Sequence, residues 1–281
     1  MMTRILDLCD HLDRNNLTGT IPSEITQLKF LEDISLQGNS VSGTIPSTLG
    51  DLFRISSIRL DSNNLTGSIP DSVDKLRKLK HFDAKRNQLS GEIPNGMMTT
   101  DSLKVLDLAQ NLLTGTIPEW GNLKSIEYIV LFGNHLDGTI PESVTSLSSL
   151  EILVLADNSF SGTIPTDVGA VKQLEVFMFT ENSLSGPIPE SIGNLEFLEY
   201  LDVGSNALNG TIPSSIGKLT SLQSAFLNDN EFSGTIPSEL ALCTNLVEID
   251  MHDNLISGTI PSSFSSFPKL RKCVERRWQH H

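Results

Sequence analysis

The stretch Asn15-Asn16-Leu17-Thr18-Gly19-Thr20-Ile21-Pro22 opens a frame, Asn-x-Leu-x-Gly-x-Ile-Pro, that the 281-residue chain repeats along its length. Successive frame asparagines are 24 residues apart, except for one interval of 23 residues that ends at Asn134. They are Asn15, Asn39, Asn63, Asn87, Asn111, Asn134, Asn158, Asn182, Asn206, Asn230 and Asn254. Self-similarity at such a period is typical of a solenoid, in which each repeat contacts its neighbours. The sequence therefore predicts one elongated domain of about eleven stacked turns.

Apolar residues lie at fixed positions around each frame asparagine. Around Asn134 they are Ile129, Leu131 and Leu136. Apolar residues two apart, with polar residues between them, predict a short strand with one buried face. The return leg has apolar residues three apart, which fits a turn or two of 3₁₀ or α-helix, or an extended segment. The predicted fold is an α/β repeat solenoid with a concave parallel β-sheet and short convex helical or extended segments.

The frame asparagines are predicted to form a buried structural ladder. Each lies between inward-facing apolar residues, and a buried amide is tolerated where its donors and acceptors are paired. We expect each side chain to hydrogen bond the backbone of its own loop and of the next turn. The frame glycine permits positive φ, and the frame proline prevents a helix from starting earlier.

The repeats divide the chain into three parts. Residues 12–270 are predicted to form the solenoid, and residues 1–11 an irregular N-terminal segment. Residues 271–281 form a basic tail that begins a twelfth repeat and then departs from it, because Glu275 stands where an apolar residue is expected and Trp278 where the asparagine is expected.

The charge distribution bears on the class of partner. The formal net charge is −14, and residues 141–268 carry sixteen acidic residues but only two bases, Lys172 and Lys218. Such a surface repels a phosphate backbone, so nucleic acid is excluded as the expected partner. A basic protein or peptide is complementary to it. The alternative is that the charge serves solubility alone.

Candidate catalytic residues do not form a recognisable group. The sequence contains no metal-protease, phosphate-loop, dinucleotide or nucleophile-elbow motif. Asp83 and Asp107 occupy the same outward strand position in adjacent turns, about 5 Å apart, a separation also found in retaining glycosidases. Polar residues are nevertheless expected at such positions on any solvated sheet. We therefore predict that the chain is not an enzyme and binds no cofactor or metal.

Outward strand positions, four and two residues before each frame asparagine, form two columns along the concave face. In the N-terminal half we expect Arg59 to face Asp83 and Asp61 to face Lys85, so that the charges neutralise each other. In the middle of the chain five apolar residues adjoin one another: Val130, Phe132, Val154, Ala156 and Met178. Five further residues form an acidic end with one aromatic ring: Asp202, Phe226, Asn228, Asp250 and His252.

An exposed apolar patch with an acidic rim is typical of a partner-binding surface. We therefore predict that these ten residues bind a partner. The alternative is that residues with high β-propensity are scattered over the sheet without a binding role.

The full repeat, Leu-x-Leu-x-x-Asn-x-Leu-x-Gly-x-Ile-Pro-x-x-Leu-Gly-x-Leu-x-x-Leu, resembles the plant-type leucine-rich repeat, with the best matches at residues 60–70 and 201–213. The resemblance covers about residues 12–270. It implies a right-handed superhelix and a second short sheet near the Leu-x-Gly-x-Ile-Pro segment. Similar proteins include receptor-like kinase and receptor-like protein ectodomains and polygalacturonase-inhibiting proteins, which act by binding, typically through the concave face.

Several functional hypotheses remain open at this point. The first is a non-enzymatic recognition scaffold that binds a protein or peptide on the concave face, like a receptor ectodomain. The second is an inhibitor of a secreted cell-wall hydrolase, and a related one is the extracellular part of a receptor-like kinase whose kinase domain is not in this chain. A structural repeat protein that assembles through its own end is another. The sequence does not indicate an oligomeric state.

Two locations also remain open. The resemblance implies a cell-surface or extracellular protein, and the sequence has three glycosylation sequons, at Asn16, Asn64 and Asn209. However, no signal peptide is visible, and no apolar run approaches the roughly 18 residues that span a bilayer. The three cysteines are not placed to pair, and Cys243 occupies a core position, which fits a reducing, cytoplasmic compartment.

Overall fold

The computed structural model describes residues 12–121 and 123–273. Over these residues the backbone repeats one unit: a short strand, a corner, in most turns a second short strand, and a return segment. Successive units stack with their strands parallel, so the chain is a repeat solenoid, as its period predicts. The predicted segment 1–11 and residues 274–281 of the predicted tail lie outside the described residues.

The first sheet contains eleven parallel strands, one from each successive turn, and we call it the concave sheet. Its strands are β2 (Asp33–Ser35), β4 (Ser57–Arg59), β6 (His81–Asp83), β8 (Val105–Asp107), β10 (Tyr128–Val130), β12 (Ile152–Val154), β13 (Val176–Met178), β15 (Tyr200–Asp202), β17 (Ser224–Phe226), β19 (Glu248–Asp250) and β21 (Lys272–Cys273). Equivalent residues pair directly, as Val130 does with Val154 and Val154 with Met178. Equivalent side chains therefore form straight columns across the sheet.

A second sheet follows the corner of each turn, where the family resemblance implies one. It consists of a six-stranded and a four-stranded part, and isolated bridges from Thr139 to Ser161 and from Thr163 to Ser185 join them. Its strands are β1 (Thr18–Thr20), β3 (Ser40–Thr44), β5 (Asn64–Gly67), β7 (Gln88–Gly91), β9 (Leu112–Thr116), β11 (His135–Asp137), β14 (Ser185–Gly186), β16 (Ala207–Thr211), β18 (Glu231–Gly234) and β20 (Leu255–Ile256).

The return segments contain short 3₁₀ helices rather than α-helices. They are Ser23–Gln27, Leu49–Asp51, Asp71–Lys75, Asn95–Thr99, Glu142–Ser146, Val168–Ala170, Glu190–Asn194, Ser214–Lys218, Ser238–Leu242 and Ser262–Ser266. Most begin directly after the frame proline, whose carbonyl accepts the first helical hydrogen bond, as Pro70 does from Val73 at 3.2 Å. In the described part of the chain no helix is long and apolar enough to cross a bilayer.

The turn that is one residue short differs from the others. Between the helices Asn95–Thr99 and Glu142–Ser146 the described residues form no helix. The fully buried Trp120 lies in this stretch, and its backbone N–H donates to the hydroxyl of Ser143 at 2.9 Å. A large aromatic side chain thus occupies the core where the described residues of this turn form no helix.

One continuous apolar core runs from Ile21 to Ile249. It contains the inward strand residues, the residue two after each frame asparagine, and the helix residues that face the strands. Cys243 belongs to this core and is fully buried, as its position predicts. Burying one Leu or Ile side chain stabilises the fold by about 1.5–3 kcal/mol, so the stacked columns supply the main favourable term.

The asparagine ladder is present from Asn39 to Asn254. In each of these ten residues Oδ1 accepts a backbone N–H from the preceding turn, and Nδ2 donates to carbonyls of its own corner and of the preceding turn. At Asn111 these bonds join Leu89 N–H at 3.0 Å and the carbonyls of Ala84 and Leu108 at 3.0 and 3.1 Å.

Two details of the predicted ladder were wrong. Each asparagine side chain hydrogen bonds the backbone of the preceding turn and not of the next turn, because it points toward the corner of the preceding turn. Asn15 is exposed rather than buried, and its side chain donates to the carbonyl of Asp13 in its own corner at 2.9 Å. No preceding turn lies within the described residues to accept it.

Two backbone positions in each turn have positive φ. The frame glycines lie between 72° and 91°, which confirms the reason for a glycine there. The residue before each frame asparagine lies between 48° and 67°, and in most turns it is not glycine. We did not predict this second position, although Gly38 and Gly133 mark it in two turns. The Asn side chain bonds the carbonyls around this corner and helps to hold it.

Candidate partner-binding surface

The predicted apolar patch forms a contiguous surface on the concave sheet. Val130, Val154 and Met178 are direct register partners on β10, β12 and β13. Phe132 and Ala156 lie two residues after the first two of these, in the second outward column. We call these five residues the apolar patch. Its members come from three consecutive turns, so the solenoid stacking brings together residues that are 48 positions apart in the chain.

The patch exposes fewer of its side chains than predicted. Val130, Phe132 and Met178 are partly exposed. In contrast, the relative solvent-accessible area is only 9% for Val154 and 5% for Ala156. The reason is the close spacing of strands, about 4.8 Å. A central side chain in a column is covered by the side chains on both sides of it, as Val154 is by Val130 and Met178. The accessible apolar surface is therefore formed mainly by Val130, Phe132 and Met178.

The first outward column continues from the patch into the acidic end. Met178 pairs with Asp202, Asp202 with Phe226, and Phe226 with Asp250. Phe226 is 7% and Asp250 3% exposed, so both were wrongly predicted to be open to a partner. The ring of Phe226 packs against Tyr200 with centroids 5.4 Å apart, which explains its burial.

Asp202 has an unusual electrostatic environment. Burial raises the pKa of its carboxyl group from 3.8 to about 6, and the nearby carboxylates of Glu181 and Asp250 add to the rise. Hydrogen bonds from the Gly204 N–H at 3.1 Å and from the Thr180 hydroxyl oppose it. At neutral pH Asp202 is therefore a charged but poorly solvated group beside an apolar surface.

His252 is the centre of a separate cluster at the acidic end. Its Nδ1 lies 2.6 Å from Oδ1 of Asp250, and its Nε2 lies 3.6 Å from Asp229 and 3.7 Å from Asp253. The bond to Asp250 raises the pKa of His252, and the other two carboxylates add to the effect. Ligand atoms of Asp229, His252 and Asp253 lie close enough together to hold one cation. A protonated His252 supplies positive charge itself, so the cluster does not require an ion. Asn228 completes this end and donates to Asp229 at 2.7 Å.

In the N-terminal half the charges pair differently from the prediction. Arg59 lies opposite Asp83 in register, but the ion pairs that form join Lys85 Nζ to Asp83 at 2.9 Å and to Asp107 at 2.7 Å. Lys85 reaches both carboxylates because it lies in the neighbouring outward column. The two aspartates that had the spacing of a glycosidase pair are thus bridged by an ammonium group.

A second regular surface was not predicted as a candidate site. The residue after each frame glycine is exposed in every turn and is Thr or Ser in nine of eleven turns, as in the recurring Gly-Thr-Ile-Pro. A Cβ built on Gly162 would lie 2.9 Å from the methyl group of Thr139, and six other frame glycines meet a threonine methyl in the same way. Each such methyl group rests on the glycine of the next turn, so the threonines form an ordered column, which we call the hydroxyl column.

The Leucine Rich Repeat family model matches seven segments that together cover more than half of the chain: residues 30–52, 54–76, 102–122, 149–170, 173–195, 197–219 and 245–267. No curated protein gives a significant match in sequence.

Solved structures give closely similar folds. The plant peptide hormone receptor RGFR1 in complex with RGF2 has a TM-score of 0.91 and 36% identity, over 92% of this chain and 42% of that chain. A TDR receptor has a TM-score of 0.88 and 34% identity, over 91% of this chain and 44% of that chain. A plant ice-binding protein has a TM-score of 0.69 and 27% identity, over 89% of this chain and 81% of that chain. The chain thus spans less than half of the length of both receptors.

Proposed function

Since the chain belongs to the leucine-rich repeat family, we propose that it is a recognition scaffold that binds a peptide segment on its concave sheet. The proposed binding surface is the apolar patch with the acidic residues beside it. In this proposal the chain acts by binding and catalyses no reaction.

The observation that carries the proposal is the position of the apolar patch. Val130, Phe132 and Met178 are partly exposed, and so are Tyr128, Ile152 and Val176, which face outward two positions earlier on β10, β12 and β13. Large apolar side chains in a contiguous group on a sheet face are typical of interaction surfaces, whereas isolated ones are common everywhere. A peptide that covers them removes this area from water and gains about 25 cal/mol per Å².

The similar structures support a peptide as the occupant. RGFR1 is described as a peptide hormone receptor, and its structure contains RGF2. The likeness extends over 92% of the present chain. Because the chain covers less than half of that receptor, the proposal concerns peptide binding and not the whole receptor's activity.

A selection experiment tests the proposal. A phage-displayed random 12-residue library is selected on the full chain, and the recovered peptides are measured against Phe132→Asp and against Phe197→Asp. Phe197 is 50% exposed and lies on the return side, so it is a matched control. Loss of a central aromatic anchor costs at least about 2 kcal/mol, or roughly 30-fold in affinity. We expect that loss for Phe132→Asp alone. Peptides that bind both variants like the wild type would refute the proposal.

The hydrolase-inhibitor hypothesis also concerns binding and has its own test. Polygalacturonase activity is measured with increasing amounts of the chain, and a saturable loss of activity would favour this function. Unchanged activity at saturating protein would remove it.

The hydroxyl column favours a second candidate, the binding of ice. The chain covers 81% of the similar plant ice-binding protein. Seven frame glycines hold a neighbouring threonine methyl in one place, so the hydroxyl groups of these threonines repeat at the strand spacing, with interruptions at Glu92 and Pro187. A rigid, periodic surface suits a crystalline ligand, since ordering it on binding costs little entropy.

Ice recrystallisation in the presence of the chain tests this second candidate. We expect Thr139→Lys to weaken inhibition, because a longer charged side chain interrupts the column. Thr220→Lys, an exposed residue on the return side, should have no effect. Recrystallisation unaffected by the wild-type chain would rule out this function.

A further inference from the structure

Four carboxylates occupy equivalent places in the first outward column of the concave sheet. In each, Oδ1 accepts the backbone N–H of the residue two positions later, at 3.1–3.2 Å. They are Asp83, Asp107, Asp202 and Asp250. This bond is therefore a shared structural feature of an aspartate at this position, and it does not distinguish Asp202 from the others.

The cations around these carboxylates do distinguish them. Lys85 bridges Asp83 and Asp107, and the ring of His252 lies 2.6 Å from Asp250. Asp202 is the remaining member, and among the described residues no Lys, Arg or His forms an ion pair with it. Asp202 also directly adjoins the apolar patch through its register partner Met178.

We propose that Asp202 binds a Lys or Arg side chain of the peptide, and that the same peptide places an aliphatic or aromatic side chain on the apolar patch. This inference rests on the proposed peptide-binding function. It adds the chemical class of the two peptide side chains and their positions along the solenoid. The basic end of the peptide lies toward the C-terminal turns, and its apolar anchor lies toward β10.

Charge complementarity favours a cation at this place. Glu181 and Asp250 surround Asp202 with further negative charge. The two lysines between residues 141 and 268 both belong to return segments: Lys218 ends the helix Ser214–Lys218, and Lys172 donates to the carbonyl of Asn194 at 3.3 Å. The histidine of this region, His252, is paired with Asp250. They therefore do not neutralise the concave sheet. Lys85 shows, on the same sheet, the geometry in which an ammonium group satisfies such a carboxylate.

The surroundings of Asp202 also favour a strong bond. Its register partners are Met178 and the buried Phe226, so the carboxylate has apolar side chains on both sides. An ion pair in a desolvated environment is less screened than one in water. The raised pKa of Asp202 is consistent with a carboxylate that lacks a counter-charge in the unbound chain.

The strand spacing sets the distance between the two ligand groups. From Val130 on β10 to Asp202 on β15 there are three strand steps, or about 14 Å. An extended peptide that crosses the strands advances about 3.4 Å per residue, so four residues cover this distance. Side chains at positions i and i+4 of an extended chain point the same way. We therefore expect an apolar residue and a Lys or Arg at positions i and i+4 of the peptide, in either order.

The test uses peptides selected from the 12-residue library on the full chain, sequenced and measured by isothermal titration calorimetry. Asp202→Asn retains the size of the side chain and its acceptor for Gly204, and Asp137→Asn changes an exposed carboxylate on β11 as a control. Circular dichroism checks that both variants are folded. We expect the selected peptides to share the i, i+4 pattern, and Asp202→Asn to weaken them at least 10-fold while Asp137→Asn leaves them unchanged.

The outcomes separate this inference from the proposed function. Peptides that lose affinity for Phe132→Asp but contain no basic residue, or bind Asp202→Asn normally, would overturn the inference and retain the proposed surface. A pool in which no peptide distinguishes the wild type from Phe132→Asp would overturn both. A selected peptide whose Lys or Arg is changed to Gln should bind wild type and Asp202→Asn equally, and a remaining difference would also count against the inference.

Discussion

Asp202→Asn is expected to stabilise the unbound chain at neutral pH. In the folded protein the carboxyl group has a pKa of about 6, compared with its ordinary value of 3.8. The difference is about two pKa units, and each unit corresponds to 1.36 kcal/mol, so keeping Asp202 ionised costs the fold up to about 3 kcal/mol. Asparagine avoids that charge and still accepts the Gly204 N–H, and we therefore expect a gain of about 1–3 kcal/mol at pH 7.5.

The pH dependence of this gain follows from the direction of the shift. Because the folded-state pKa is raised, the folded chain binds more protons than the unfolded chain between pH 3.8 and about 6. The wild type therefore loses stability through this group as pH rises across that window. The penalty is complete above about pH 6 and absent below the unfolded pKa. The advantage of Asp202→Asn should thus disappear near pH 3.5.

Thermal unfolding followed by circular dichroism measures the effect. For a chain of this size 1 kcal/mol corresponds to about 2–4 °C, so a gain of about 2 kcal/mol raises the Tm by roughly 4–8 °C at pH 7.5. Asp137→Asn is the control and should melt like the wild type. Repeat proteins can unfold in parts, so hydrogen exchange of the β15 amides provides a local measure. An unchanged Tm at pH 7.5, or a gain that persists at pH 3.5, would refute the electrostatic argument.

Three further changes test the framework of the solenoid. Asn111→Ala removes the hydrogen bonds of a buried corner and should lower the free energy of unfolding by about 2–4 kcal/mol, whereas Asn15→Ala should change it by less than about 0.5 kcal/mol. Equal urea midpoints for the two variants would contradict the stabilising role of the asparagine ladder. Gly162→Ala adds a Cβ at φ +77° and should cost at least about 1 kcal/mol, while Gly121→Ala, with nothing within 4 Å, should be tolerated. Lys85→Met should lower the Tm at pH 7 and much less at pH 3, because burial raises the pKa of Asp107 and this carboxyl group loses its charge as the pH falls; a pH-independent loss would contradict the bridging role.

The sequence predicts the fold of this chain well because a 24-residue period leaves few alternatives. A residue that recurs in every turn has the same environment in every turn, so the inward columns, the frame glycine and the helix start after proline could be derived from one repeat. The asparagine ladder was predicted for the same reason. Asn15 differs from the other frame asparagines in being exposed, although it makes a hydrogen bond within its own corner.

The sequence predicts which residues adjoin one another on the candidate surface, but not how much of each side chain is accessible to solvent. The columns place Val130, Val154 and Met178 together, as expected. Burial depends on the size of each neighbour across about 4.8 Å, and this covers Val154 and Phe226 although both face outward. The ion-pair partner of a long side chain is equally hard to predict, because Lys85 can reach several carboxylates. Strand register predicted Asp61 as its partner, but Lys85 bridges Asp83 and Asp107.

The left-handed corner before each asparagine was missed because most residues there are not glycine. Asp157, Asp229 and Asp253 are of a residue type enriched in this conformation, whereas Arg14, Arg86, Gln110 and Glu181 at the same corner are long side chains without that preference. The glycines at positions 38 and 133 are the signal from which the corner could have been found.

Photo-cross-linking tests most directly the claim that the concave sheet binds the peptide. A photo-reactive phenylalanine analogue replaces Phe132 in one protein and Phe197 in another, and each is irradiated with a labelled peptide selected on the wild-type chain. The account predicts a covalent adduct from position 132 that excess unlabelled peptide abolishes, and none from position 197. An adduct from position 197 with none from position 132 would contradict it.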